Sequence, residues 1–292
     1  MRPQREHVRE RKDVRKILFA LAGAAALASM TMSADAQQRQ VRIATEGAYR
    51  PWNFTDAGGQ LIGFELDLAR DLCRRMNAEC TIVAQDWDGI IPALQQRRYD
   101  AIMAGMSITD RRLETIDFAG PYASDATVFS ALKSSPFAQI ASGQALDMAE
   151  ISAEEKATID GLAQQLRGRA VGVQVSTIQQ QFLEQLMPGV TVRTYDATDN
   201  IFLDLASGRI DAALVDRAAT NAFLGTDAGR NVQLFGPAFT RGVLGRGVGV
   251  GLRKGDGELK QAFDQAIAAA RADGTISRLA TQWFGYDVAI RD

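Results

Sequence analysis

A single histidine, His7, occurs in 292 residues. Beyond position 7 the chain works without imidazole, which excludes His-dependent nucleophilic triads, His general bases and His-ligated metals. Cysteine is nearly as scarce: Cys73 and Cys80 are the only two, and no CxxC spacing occurs. Charge of neither sign dominates, with 33 Lys and Arg against 35 Asp and Glu. No basic face is implied, so nucleic acid is not an expected partner. Paired catalytic carboxylates and a phosphate-cradling loop are also missing. GRGVGVGL (245–252) is glycine-rich but leads out of no βα turn with dinucleotide spacing, and it reads as a strand near a hinge. No cofactor and no metal is expected. Asp, Glu, Lys or Tyr can still run chemistry alone, so these absences weigh against an enzyme without closing that class.

Long apolar runs are equally few. Residues 1–16 are crowded with Arg and Lys, Ile17–Ser29 is apolar, and Ala34-Asp35-Ala36 gives a small-x-small pattern. That order is expected to be a secretory signal peptide over 1–36, its apolar run too short for a membrane span. Cleavage after Ala36 leaves 26 basic and 31 acidic residues, a formal net charge of −5. Export to an oxidising compartment favours a local disulfide between Cys73 and Cys80 over a metal pair. Such a bridge would pin the end of a helix to the start of the next strand.

What is present is rhythm. Short apolar or alternating runs predict strands at 41–46, 80–85, 100–106, 126–133, 169–175, 190–196, 211–216, 231–236 and 247–254. Helical periods fall between them at 64–76, 87–98, 178–187, 197–207 and 259–271. This alternation predicts an α/β fold with largely parallel sheets. IIPALQQRRYDAIMAGM and IFLDLASGRIDAALVD share one form, a helix, a short turn and a strand opening with Asp-Ala. The shared form suggests two similar lobes. Residues 134–168 break the rhythm with a polar, partly helical insertion, read as a surface elaboration too small for a core of its own.

Several strand ends carry unusual side chains. TEGAYRPWNF (45–54) closes a strand with Glu46, Tyr49 and Trp52, a carboxylate beside flat rings suited to a cation, with Trp52 read as packing. SITDRR (107–112) follows DAIMAGM and offers Gly105, Ser107 and, one turn past a cap at Thr109 or Asp110, Arg112. An arginine there can give two parallel N–H bonds to a carboxylate, although an ordinary solvated arginine is the alternative. In VSTIQQQF, Ser176 or Thr177 caps a helix whose free N–H groups suit an anion. Asp216, at the tip of DAALVD, is either an ammonium partner or a cap for the helix that follows. Trp87, opening WDGIIPAL, is either core or a stacking plate.

Taken together, TEGAYRPWNF, IGFELDLARDLC, WDGIIPALQQRRYDAIMAGMSITDRR, GRIDAALVD and GVGVGLRKGDGELKQAFDQAI resemble the periplasmic solute-binding proteins of polar amino-acid ABC transporters. The resemblance is to the lysine/arginine/ornithine and histidine type, over essentially the whole mature length. The 134–168 insertion, TYDATDNIFLDLASGRIDA and the ending QWFGYD look closest to the branch that binds opines such as octopine and nopaline.

The resemblance implies a type II fold of two lobes joined by two hinge strands, with residues 37–124 and 240–292 in one and 125–239 in the other. It implies a periplasmic monomer that delivers its ligand to a membrane permease. By the same resemblance Arg112 clamps an α-carboxylate with Ser107 and the Thr177 backbone. Asp216, Ser107 and the Gly105 carbonyl hold the α-ammonium, Glu46 meets a distal cation, and Tyr49 and Trp87 line the side-chain slot. Three departures stand out. Ala104-Gly105 replaces the family's Ser-Ser, Val175 replaces a Gly before Ser176 and Thr177, and Asp216 retains an acid that opine binders tend to lack. Overall similarity thus points to opines and Asp216 to arginine, ornithine or lysine, with the free amino acid preferred. A cyclohexadienyl dehydratase-like enzyme on the same scaffold is a further alternative, with Glu46 as its candidate acid or base.

Overall fold

A computed structural model describes residues 38–290 of the protein. The expected signal peptide, its cleavage site and His7 lie outside the described residues. In chain order β1 (Arg39–Thr45), β2 (Ala48–Tyr49), β3 (Asn53–Thr55) and β4 (Leu61–Ile62) lead into α1 (Phe64–Arg75) and β5 (Ala78–Ala84). Next come α2 (Ile90–Gln95), β6 (Ala101–Ile102), α3 (Asp110–Leu113), β7 (Ile116–Ala123) and β8 (Thr127–Leu132). After these stand β9 (Ala145–Asp147), α4 (Ala153–Gln165), β10 (Ala170–Gln174), α5 (Ile178–Leu186), β11 (Thr191–Tyr195), α6 (Thr198–Ala206) and β12 (Ala212–Asp216). The chain ends through α7 (Arg217–Leu224), β13 (Val232–Thr240), β14 (Val248–Arg253), α8 (Gly257–Ala272) and α9 (Thr275–Phe284).

Two sheets organise these elements. The first runs β5-β1-β6-β14-β7, the second β11-β10-β12-β8-β13-β9. In α1 the stripe Phe64, Leu68 and Leu72 recurs every fourth residue and is wholly buried against the first sheet's core. Phe263 and Ile267 of α8 and Ile276 of α9 bury into that same core, so the two ends of the described chain share it. Burying each such side chain stabilises the fold by about 1.5–3 kcal/mol. The bridge Cys73–Cys80 ties the end of α1 to β5 with Cα atoms 6.1 Å apart. Phe129, Phe182, Phe235 and Phe239 fill a separate core on the second sheet.

Both sheets are mixed, where the alternation predicts largely parallel ones. β1 is parallel to β5 and β6, but β14 lies antiparallel to β6 and β7. β12 is parallel to β10 and antiparallel to β8. The reversed strands are those entered after the chain passes from one sheet to the other. That passage occurs twice, at 124–126 between β7 and β8 and at 241–247 between β13 and β14.

The expected strand over 100–106 pairs only at Ala101–Ile102, and the expected helix over 87–98 is regular only at Ile90–Gln95. Gly89 sits at φ 97 and holds Trp87 and Asp88 in a turn, while Gly105 at φ 62 bends the chain away from the sheet. The 134–168 segment is more than a surface elaboration. It supplies edge strand β9, paired with β13, and buries Phe137, Leu146, Ile159, Leu162 and Leu166 in the second core.

Candidate binding site

The carboxyl ends of β1, β6, β10 and β12 border one cleft, which residues of the two sheet-to-sheet crossovers also line. Such strand ends are where ligands bind in open α/β sheets. Nine of the ten expected site residues line it: Glu46, Tyr49, Trp87, Ala104, Gly105, Ser107, Arg112, Thr177 and Asp216. Ser176 does not. It is exposed at φ 59, and its hydroxyl reaches Asp88 Oδ1 at 3.3 Å. Thr177, not Ser176, caps α5, accepting from the Gln180 N–H at 3.3 Å. With the cap one residue later, Ser176 is displaced to the rim.

Arg112 sits in the cleft wall, within short helix α3. Thr109 caps that helix by accepting from the Arg112 N–H at 3.2 Å, which sets the side chain's direction. Nη1 donates to the Ser107 carbonyl at 2.9 Å, and the guanidinium carbon stands 5.1 Å from the centre of the Trp87 ring. No carboxylate pairs with Arg112 among the described residues. Burial, with nearby Arg111 adding to it, pulls its pKa down to about 10. A buried cation without a counter-ion is costly unless an anion arrives.

Of the two sequence readings of Asp216, the fold displays the helix cap. As the cap of α7 it accepts from the Ala219 N–H at 2.9 Å. It also accepts from the Tyr49 hydroxyl and, at 3.2 Å, from Trp52 Nε1. Trp52, read as packing, is buried in the first core and is a cleft residue as well. Burial pushes the Asp216 carboxyl up to about 7 against the pull of backbone N–H donors. Glu46 also rises to about 7, through burial first and then the like charges of Glu65, Asp86 and Asp199, against a hydrogen bond from Gln174.

Gly105 is held from behind. Its N–H donates to both oxygens of Glu65, at 2.8 and 3.0 Å, and Glu65 also accepts from Asn53 Nδ2 and the Tyr122 hydroxyl. A side chain at 105 would stand 2.8 Å from the Tyr49 ring. Sequence reading missed Asp125 in the first crossover, which accepts from the Tyr286 hydroxyl at 3.0 Å and the Ala218 N–H at 2.7 Å. Burial lifts Asp125 to about 6. Gln174 and Gln179 were missed too; one amide ends an apolar strand and the other lies in a run of three glutamines, and neither carries a motif of its own. Arg241 stands at the rim, at φ 62, paired to Asp147 at 2.7 Å.

Residues 41–286 match the family of bacterial extracellular solute-binding proteins, family 3. An octopine-binding periplasmic protein of Rhizobium meliloti is 40% identical over 284 residues, 90% of this chain and 96% of the relative. A histidine-binding periplasmic protein of Salmonella typhimurium is 36% identical over 94% of this chain and 99% of its own length. Among solved structures, a periplasmic His/Glu/Gln/Arg/opine family-binding protein from Silicibacter pomeroyi, in complex with lysine, superposes with a TM-score of 0.70. It is 33% identical, and the match covers 86% of this chain and all of that one.

Proposed function

The chain belongs to family 3 of the bacterial extracellular solute-binding proteins, and from that premise we propose that it carries a cationic or polar L-amino acid to an ABC importer. Arginine, ornithine, lysine and histidine are the candidates. One observation carries the reading: Arg112, a buried guanidinium with no carboxylate partner among the described residues, lines one cleft with Glu46 on its own side and Asp216 on the opposite side. The α-carboxylate goes to Arg112, Ser107 and the Thr177 N–H. The α-ammonium goes to Asp216, the Ser107 hydroxyl and the Gly105 carbonyl. A distal cation meets Glu46 between Tyr49 and Trp87, with Ala104 leaving room for it.

Arg112 lies between strands of the first sheet and Asp216 ends a strand of the second. With lobes drawn as 37–124 plus 240–292 and 125–239, neither satisfies a zwitterion alone. Ligand then favours the closed arrangement by its differential contacts. Moving that equilibrium from 1:99 to 99:1 takes about 5.5 kcal/mol of such preference. The ligand is handed unchanged to a membrane permease, from a periplasmic monomer whose leader has been removed.

A second reading is favoured by the state of Asp216. Its oxygens already accept from Tyr49, Trp52 and the Ala219 N–H, and its carboxyl titrates near 7. A protonated acid tolerates the carboxyalkyl group that an opine carries on its α-nitrogen, and the Rhizobium meliloti relative is an octopine-binding protein. Calorimetric titration with the four amino acids, octopine and nopaline separates the two. We expect arginine to bind wild type more tightly than octopine, and Asp216→Ser to reverse that order. Tighter octopine binding to wild type establishes the opine reading; no heat with any ligand overturns both. Prephenate and arogenate, tested for turnover, are expected to remain intact.

A further inference from the structure

Gln174 ends β10 with its side chain buried in the cleft wall. Every polar atom of its amide is engaged. Nε2 donates to Glu46 Oε1 at 2.5 Å and to the Asp196 carbonyl at 3.0 Å, and Oε1 accepts from the Thr198 hydroxyl at 3.4 Å. Two acceptors on one side fix which end carries the NH2 group, since a reversed amide would set its oxygen against a carboxylate and a carbonyl. Gln174, Asp196 and Thr198 flank strands of the second sheet, whereas Glu46 follows β1 of the first. The Gln174–Glu46 bond therefore spans the cleft and forms only with the lobes together. Glu46 Oε2 has no hydrogen-bond partner among the described residues.

We propose that Gln174 is a specificity-determining residue: it grips one oxygen of Glu46 across the cleft and leaves the other to read a positive group at the far end of the ligand. The assignment rests on the binding function proposed above and deepens it, because charge on the ligand's side chain is then sensed only as the lobes close. Electrostatics point the same way. Glu65 on α1, Asp86 after β5 and Asp199 on α6 all add negative charge around Glu46, and Tyr49 and Asp216 line the same cleft. Burial raises the Glu46 pKa, and the Gln174 amide is the influence that opposes it. Without that donor the carboxyl holds its proton to higher pH and the preference for a cation fades.

Arginine and its neutral isostere citrulline, titrated side by side, read this out. Gln174→Leu and Gln174→Met are each expected to cut the arginine-over-citrulline preference at pH 7 by about tenfold, and raising the pH to 8.5 to restore part of it. In a Glu46→Gln background, adding Gln174→Leu is expected to change the ratio less than about twofold, as for two residues acting through one contact. An unchanged ratio in both single variants, or full additivity with Glu46→Gln, overturns the proposal. Thermal melts establish that each variant is folded, and the Met variant stands in should the Leu variant not be. Carbon-13 titration of the Glu46 carboxyl in the protein saturated with citrulline, which holds the lobes together without a side-chain charge, gives a second reading: Gln174→Met should raise its midpoint, and an unmoved midpoint also overturns the proposal. A wild type that binds no amino acid or opine overturns the binding function itself and this proposal with it, whereas binding with an unchanged arginine-over-citrulline ratio overturns the proposal alone.

Discussion

Arg112 and Gly105 show what single residues contribute to the cleft. Arg112→Met keeps the volume beside Trp87 but removes the charge. Truncating one partner of a buried, hydrogen-bonded charge pair costs about 2–5 kcal/mol, so amino-acid affinity should fall at least thirtyfold by calorimetry. Retained tight binding would remove Arg112 as the clamp. Gly105→Ala fails differently. The residue is at φ 62, and its new Cβ would lie 2.8 Å from the Tyr49 ring. Tyr49 must move and release Asp216, and a side chain at positive φ strains the backbone, so we expect a lower affinity together with a lower ligand-free melting temperature, checked by titration and melting. Much of this was legible in the sequence: a carboxylate, an arginine and ring-bearing residues at strand ends name their own chemistry. Trp52 and Gln174 were not, because their roles depend on Asp216 and Glu46, partners 164 and 128 residues away. Which of Ser176 and Thr177 caps α5 was open in the sequence, because either residue of S-T caps equally well; Thr177 takes the position and Ser176 does not line the cleft.

At the level of elements, the segment 134–168 gives the sharpest test. A polar appendage would tolerate truncation of its apolar residues almost freely. Here Leu162 of α4 is buried among Ile159, Phe137 and the second core. Leu162→Ala should therefore destabilise the protein by about 2–5 kcal/mol, read as the midpoint of denaturant unfolding. A loss below about 0.5 kcal/mol would return the segment to the surface. Its helix is also well started: Ser152 and Glu155 form a reciprocal capping box, with the Ser152 N–H donating to Glu155 at 2.8 Å. The low apolar content of 141–158 hides this in the sequence, since few buried residues leave a weak helical period. Strands announced themselves better. β1, β5, β8 and β10 to β12 fall within two residues of expectation because their apolar runs are bounded by turn residues. β7 was missed: Gly120 and Pro121 interrupt the apolar pattern of IDFAGPYA, yet they lie within an edge strand, where proline is tolerated.

For the whole molecule the decisive feature is three buried carboxylates along one cleft. Glu46 and Asp216 are raised to about 7 and Asp125 to about 6, each chiefly by burial. In the unfolded chain these groups titrate near 4. Between pH 4 and 7 the folded protein therefore binds more protons than the unfolded chain, and stability falls as pH rises through that window. The benefit is fully present below the unfolded values and lost above the folded ones. Asp273, lowered to about 2 beside Arg75, acts oppositely, but its effect lies below pH 4. The ligand-free protein should accordingly melt at a higher temperature at pH 5.5 than at pH 8, against the usual acid trend. Ligand reverses the preference: a bound ammonium or guanidinium is held best by ionised carboxylates, so the melting shift from saturating arginine should be largest at pH 8 and shrink through pH 7. Scanning calorimetry at pH 5.5, 7 and 8, with and without arginine, measures both slopes. A ligand-free melting temperature that drops steadily from pH 8 to 5.5 would mean that these carboxylates are hydrated and the two lobes stand apart. Glu46→Gln combined with Asp216→Asn should reduce both slopes, because it removes two cleft carboxyls raised to about 7 while leaving the cleft its shape.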